Sequence, residues 1–284
     1  MQPGPIEPTT ITTIDAKGGA LYAEIFQPKG APKGVVLVTH GYAEHCGRYR
    51  EVAHVIVNAG WAVLAYDVRG HGQSPGARGF IDRFDIYLDD LTEAHAAAKT
   101  LAPGKPIVLL GHSHGSLIIL RALCGDRPPE AVHAILSSPY LALRLTVPTH
   151  KKLLARVASR VVPGFANPNA LRVEDLTADP QKQAERRADT LCFDVATARW
   201  FTEATAAQDY VAAHADRITL PTTWLVGADD PIADPAASRR VASKMTKTDY
   251  HDLVGLRHEV FNEIERGKVF LALTDSLARQ IAPL

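Results

Sequence analysis

Gly111-His112-Ser113-His114-Gly115 places a serine between two glycines, in the pattern Gly-x-Ser-x-Gly, between a short apolar run and an apolar helical stretch. A free serine hydroxyl is a poor nucleophile near neutral pH. Covalent chemistry here therefore needs a histidine base and, behind it, a carboxylate that orients the base. Both stand downstream: Gly227-Ala228-Asp229-Asp230 ends one predicted strand, and Gly255-Leu256-Arg257-His258 follows the next. The two glycines leave room for a sharp strand-to-helix turn that holds Ser113 outward in a strained backbone. The start of the following helix would then face developing negative charge. His251, inside the predicted last strand, competes with His258, and Asp229 competes with Asp230.

The elements that must carry these residues follow a regular rhythm. Val35 to Thr39 is a short β-branched run bounded by Gly34 and His40-Gly41, which reads as a buried strand. Val52, Val55, Ile56 and Ala59 have helical spacing, and Gly60 stops the pattern before a second apolar strand, Trp61 to Tyr66. The cycle repeats with a helix carrying Leu88, Leu91, Ala94, Ala98 and Leu101, a strand Pro106 to Gly111, a helix Leu117 to Cys124 and a strand Val132 to Ser137. Such alternation implies an α/β fold, a mostly parallel sheet with helices on both faces. Between about Tyr140 and Arg217 the rhythm stops, and helices broken by Pro148, Pro163, Pro168 and Pro180 suggest an insertion. Leu154, Val157, Ala158 and Val161 form one apolar stripe there, and Phe201, Ala204 and Val211 suggest another. Strands resume at Thr222 to Gly227 and Asp249 to Val254, and a last helix carries Phe270, Leu273, Leu277 and Ile281. The expected division is a core of residues 1–139 and 218–284 with a helical cap, 140–217, inserted in it.

Composition narrows the partners. The chain of 284 residues carries 31 Lys plus Arg against 31 Asp plus Glu, so no overall field draws it to nucleic acid or to an anionic membrane. The expected partner is a small, neutral or weakly charged molecule. Cys46, Cys124 and Cys192 are far apart and lack paired ligand spacing, which fits reduced thiols and a cytoplasmic location. Met1 to Thr13 holds three prolines and no basic start before an apolar run, unlike a secretory signal. No apolar stretch approaches the roughly 18 residues of a membrane span, which leaves room only for weak peripheral membrane contact.

The segment His40-Gly41-Tyr42-Ala43-Glu44-His45-Cys46-Gly47-Arg48-Tyr49 resembles the oxyanion segment of monoacylglycerol lipases and related bacterial lysophospholipases, in the serine aminopeptidase S33-type group of α/β-hydrolases. Tyr66-Asp67-Val68-Arg69-Gly70-His71-Gly72-Gln73-Ser74, the serine turn, Gly227 to Asp234 and Gly255 to Glu263 are similar too. The resemblance implies the α/β-hydrolase fold and a triad of Ser113, Asp230 and His258. Asp230 is favoured over Asp229 by the Gly-x-x-Asp spacing and by the following Pro231-Ile232-Ala233-Asp234. It further implies an oxyanion hole from the backbone N–H groups of Tyr42 and His114. His114 stands where such proteins usually carry methionine, and Ala43 where they often carry glycine. Neither change removes a backbone donor.

The implied substrate is a single-chain acyl ester such as a monoacylglycerol. A lysophospholipid is the near alternative, and thioester cleavage or perhydrolysis would use the same triad. A non-catalytic ligand receptor of the same fold is the reading from a different class. Trp200 and Phe201 are candidates to line an acyl groove, against core packing. Asp67, Arg69, His40 and His71 read as turn scaffolding, and Asp234 as the cap of a helix beginning at Pro235. His112-x-His114 is a possible metal-ligand spacing, but the chemistry needs neither metal nor cofactor, and none is expected.

Overall fold

The computed structural model describes residues 3–144, 149–169 and 171–280. Its centre is an eight-stranded sheet. In chain order the strands are β1 (Thr10–Ile14), β2 (Leu21–Phe26), β3 (Val35–Thr39), β4 (Ala62–Tyr66), β5 (Ile107–His112), β6 (His133–Ser137), β9 (Thr222–Gly227) and β10 (Thr248–Leu253). In space they run β1-β2-β4-β3-β5-β6-β9-β10, with antiparallel pairing only at β1–β2 and β2–β4. The α/β-hydrolase expectation and its mostly parallel sheet are thereby met.

Period-two alternation divides the strand side chains between two cores. Val35, Leu37 and Leu109 face one way, with α2 (Asp85–Leu101), α3 (His114–Leu123) and, farther along, α7 (Ala198–His214) and α8 (Pro235–Ala242). Val36, Val38, Val108 and Leu110 face the other, against α1 (Arg50–Asn58) and α9 (Arg266–Arg279). Both faces of the central strands are covered, which is why β3 and β5 are apolar at nearly every position rather than alternating.

Between β6 and β9 lie α4 (Thr149–Val161), a short ribbon of β7 (Ala166–Pro168) and β8 (Val195–Thr197), α5 (Val173–Leu176), α6 (Pro180–Ala188) and α7. On α7, Ala204 and Val211 are buried as the stripe predicts, and Phe201 is partly buried. The α4 stripe behaves differently, since Leu154, Val157 and Val161 face outward. The N-terminal hairpin escapes the sequence reading because β1 is a threonine-rich edge strand with four of its five residues at least partly exposed. Pro148 and Ile281, assigned to a helix break and to the last helix, lie outside the described residues.

The join between sheet and α3 has no slack. A Cβ on Gly115 would stand 2.0 Å from the Thr39 carbonyl oxygen and 2.5 Å from that of His40. A Cβ on Gly111 would meet Ser116 N at 2.7 Å. Gly115→Ala is expected to cost roughly 4 kcal/mol or more in a urea unfolding series, the scale of a large mutational defect. Gly267→Ala, in the open first turn of α9, should gain at most about 1 kcal/mol. Equal effects from the two would contradict the packing described.

Candidate functional site

Ser113 sits between the end of β5 and the start of α3 with φ 49° and ψ −111°, a backbone region that non-glycine residues rarely adopt. The surroundings hold it there. Its N–H donates to Ser137 O at 2.8 Å, and its own carbonyl accepts from Leu117 N and Tyr140 N, both at 3.1 Å. Ser116 Oγ donates to Gly111 O at 2.7 Å and pins the far side of the turn. His114 is the first residue of α3, so its N–H has no acceptor within the helix and faces outward from the helix start.

Asp230 lies in the turn after β9, 1% exposed. Its Oδ1 accepts from the N–H groups of Ile232 (2.8 Å) and Ala233 (3.0 Å), which fixes the carboxylate. Oδ2 is 2.7 Å from His258 Nδ1. A carboxylate in that position accepts a hydrogen bond from Nδ1–H, which keeps the proton on Nδ1 and leaves Nε2 with the free lone pair. The His258 ring lies 4.9 Å from that of His112, the chain neighbour of Ser113. The structure therefore brings Asp230 and His258 together near the serine turn. Asp229 points away and accepts from Gly255 N at 2.9 Å, and His251 is half-exposed beside Asp249.

Burial disfavours a cation on His258, but the charge and hydrogen bond of Asp230, with Glu259 and Glu44 behind, raise its pKa above the ordinary histidine value. Its neighbours go the other way. Burial, helped by His258, lowers His112 to about 4, and burial, helped by His40, lowers His114 to about 3. One imidazole in the group is thus made more ready to accept a proton, and the other two are held neutral.

The loop after β3 carries Tyr42 and is tied to the segment before α7. Tyr42 Oη donates to Val195 O at 2.8 Å, and its ring stacks on Trp200 at 3.7 Å. Ala43, with φ 62°, presents its carbonyl to Phe193 N (3.3 Å) and to Arg186 Nη1 (2.7 Å). A glycine here would relieve that backbone strain. Trp200 reaches the site by stacking on Tyr42, while Phe201 packs at the edge of the larger core.

Asp67, Arg69, His40, His71 and Asp234 play the scaffolding parts expected. Asp67 accepts from Cys46 N at 2.7 Å and Gln73 N at 2.6 Å, and Arg69 pairs with Asp90. His40 Nε2 accepts from Val68 N at 2.8 Å, and Asp234 caps α8 through Ala236 N.

The sequence reading assigned no role to a buried charge network beside the site. Glu44 Oε1 accepts from Gly41 N (2.6 Å) and from Tyr49 Oη (2.7 Å), and Arg48 joins Glu44 to Glu259 at 3.6 and 2.6 Å. Burial opposes charge on Glu44, yet Arg48, His112, His40 and the Tyr49 hydroxyl lower its pKa to about 2. The i, i+4 spacing of Glu44 and Arg48 was the available signal.

As for metal ligands, His112 Nδ1 bonds Ser137 Oγ while His114 packs among aromatic rings, so the two do not converge. Among the described residues, His45, Asp189 and Cys192 hold an N, an O and an S atom within 4.8 Å of one another. The 2.7 Å His45–Asp189 contact there joins the β3 loop to the segment after α6.

Comparison with known proteins agrees with this geometry. A family model described as serine aminopeptidase, S33, matches residues 30–265. A monoacylglycerol lipase of Mycolicibacterium smegmatis is 31% identical over 252 residues, covering 88% of this chain and 89% of its own. A monoglyceride lipase of Mus musculus is 30% identical over 270 residues, covering 88% and 86%. The crystal structure of Paleococcus ferrophilus monoacylglycerol lipase superposes with a TM-score of 0.83 at 28% identity, over 92% of this chain and 99% of that one. A turn-held serine beside a carboxylate-bound histidine, on this sheet and with these relatives, places the chain in the serine aminopeptidase S33 family of α/β-hydrolases, and it is a hydrolase.

Proposed function

We propose that the chain hydrolyses single-chain acyl esters of the monoacylglycerol type by way of an acyl-enzyme on Ser113. The observation that carries this reading is the 2.7 Å contact of His258 Nδ1 with Asp230, which leaves Nε2 free beside the serine turn. In the first step His258 takes the Ser113 proton as Oγ bonds to the ester carbonyl carbon. The oxyanion rests on the N–H groups of Tyr42 and His114. His258 then passes its proton to the departing alcohol oxygen as the carbon–oxygen bond breaks. In the second step His258 deprotonates water, which attacks the acyl carbon, and Ser113 leaves with that proton as the fatty acid is freed. Asp230 orients the imidazole and stabilises its cation in both steps.

In this reading, residues 140–217 act as a cap on a core of residues 1–139 and 218–284. Ser113 is 7% exposed, and Phe193 and Trp200 of this segment pack on Tyr42, so in this reading substrate enters as the Phe193–Trp200 segment draws back from Tyr42. The outer face of the cap then has a use. Leu154 and Val161 are 67% and 74% exposed, and Leu153, Val157, Val162 and Phe165 extend the apolar surface around them. A patch of this kind beside Arg156 and Arg160 suits shallow contact with a lipid surface where such esters dissolve. Among the described residues no helix is long and apolar enough to cross a membrane. The proposed location is cytoplasmic, with any membrane contact peripheral.

Rates on a chromogenic acyl ester test the mechanism. Ser113→Ala and His258→Ala should lower kcat by roughly a thousandfold or more, and Asp230→Asn by a comparable factor, while Asp229→Asn stays near wild type. Because His258 must be neutral to act, kcat/KM should rise with pH through a midpoint above about 6.5. Full activity of Ser113→Ala would refute the reading. For the cap, sedimentation with phospholipid vesicles should fall about tenfold in Leu154→Glu, the loss of one buried leucine. Unchanged sedimentation would remove the membrane role.

A further inference from the structure

Beside Ser113 lies a group of buried polar atoms that the mechanism above does not use. Among the described residues neither ring nitrogen of His114 has a partner, and the same holds for Tyr87 Oη, His71 Nε2 and Trp200 Nε1. All four residues are 5% exposed or less. Their rings converge on His114, with centroids 4.9 Å away for Tyr87, 5.5 Å for Trp200 and 6.3 Å for His71. A polar atom left unmet in a protein interior is costly, so five of them on four rings packed around His114 mark a position suited to meet polar groups.

Their chemistry defines the complement. His71 Nδ1 lies 3.0 Å from the Arg69 carbonyl oxygen and must carry the proton, which leaves Nε2 as an acceptor only. Trp200 Nε1 is a donor only. Neutral His114 supplies one donor and one acceptor, and the Tyr87 hydroxyl supplies both. An alkyl chain would leave every one of these atoms unmet. A carboxylate would face the His71 lone pair, and an ammonium would face the Trp200 N–H. The nearby Arg69 is spent on Asp90 and neutralises neither. A hydroxyl, which donates and accepts without charge, fits the set.

Position within the site says which part of the substrate this would be. His258 must protonate the departing alcohol, so the alcohol lies on the His258 side, where His112 and the crevice lined by Glu44, Arg48 and Glu259 are found. The His114 group lies instead against Tyr42 and α7. That side is left for the acyl chain. Resting on the ester-hydrolase reading above, we propose that the acyl side of this site selects chains bearing a hydroxyl group, recognised by His114, Tyr87, His71 and Trp200. His114 is then a specificity-determining residue through its side chain.

The test uses matched aryl esters of one chain length, with the acyl group either plain or bearing a single hydroxyl at successive carbons, and a methoxy version as a control that accepts but cannot donate. For at least one hydroxyl position, kcat/KM should exceed that of the plain ester by about tenfold or more, with the methoxy ester below the hydroxyl one. Tyr87→Phe and His114→Met should each move the hydroxyl-to-plain ratio toward one, His114→Met by raising the rate on plain chains relative to hydroxylated ones. A plain-chain preference at every position would overturn the inference, as would a ratio unchanged in both variants, and buried water would then be the partner of these atoms. Either result would leave ester hydrolysis standing. Failure of the wild-type protein to cleave any of the esters would overturn both.

Discussion

The approach of Gly115 to the carbonyl oxygens of Thr39 and His40 is the constraint on which the rest of the site depends. It brings the start of α3 against the end of β3 with no room for a side chain. Three consequences follow from that one contact. The chain can turn from β5 into α3 only through a strained residue, so Ser113 is held at positive φ with its side chain clear of both elements. The unbonded N–H at the first position of α3 is set beside the loop that follows β3. That loop, with Tyr42 and Ala43, is in turn tied to the segment before α7. Candidate nucleophile, candidate oxyanion donors and the contacts to the segment before α7 thus share one mechanical origin in the sheet.

Electrostatics builds on this frame by opposing burial with pairing. Burial disfavours a cation on His258, as it does on His112 and His114. The Asp230 carboxylate, held by two backbone N–H groups, reverses that for His258 alone. Glu44, Arg48 and Glu259 form a second buried charge group. A buried ion pair adds little net stability against a well-packed apolar alternative, but loss of one member leaves an uncompensated charge. Its use here is positional: Glu44 ties Gly41 and Tyr49 and thereby shapes the loop that carries Tyr42.

Much of this was legible in the sequence, for physical reasons that also explain what was not. Central strands covered on both faces leave near-continuous apolar runs, and β3 and β9 were placed to the residue on that basis. The edge strand β1, half-exposed and rich in threonine, left no such trace. The serine turn was visible because tight packing demands glycine on both sides of it. Asp230 and Asp229 could be ranked only by spacing and resemblance, since which carboxylate meets His258 depends on the turn after β9. The segment between β6 and β9 was the least readable part. Its α4 stripe has the helical period of a core-facing helix, yet the face looks outward, and periodicity alone does not say what an apolar face meets. The buried polar group around His114 was invisible for a related reason, because its members come from four separate segments that only the fold brings together.

The central claim is that Ser113 is the nucleophile, activated through His258 and Asp230. Its most direct test is covalent: the folded protein is treated with a fluorophosphonate, and the adduct is located by peptide mass spectrometry. The account predicts one adduct per chain, on Ser113, forming far more slowly in Asp230→Asn. No adduct, an adduct on another serine, or labelling of Asp230→Asn at the wild-type rate would contradict it.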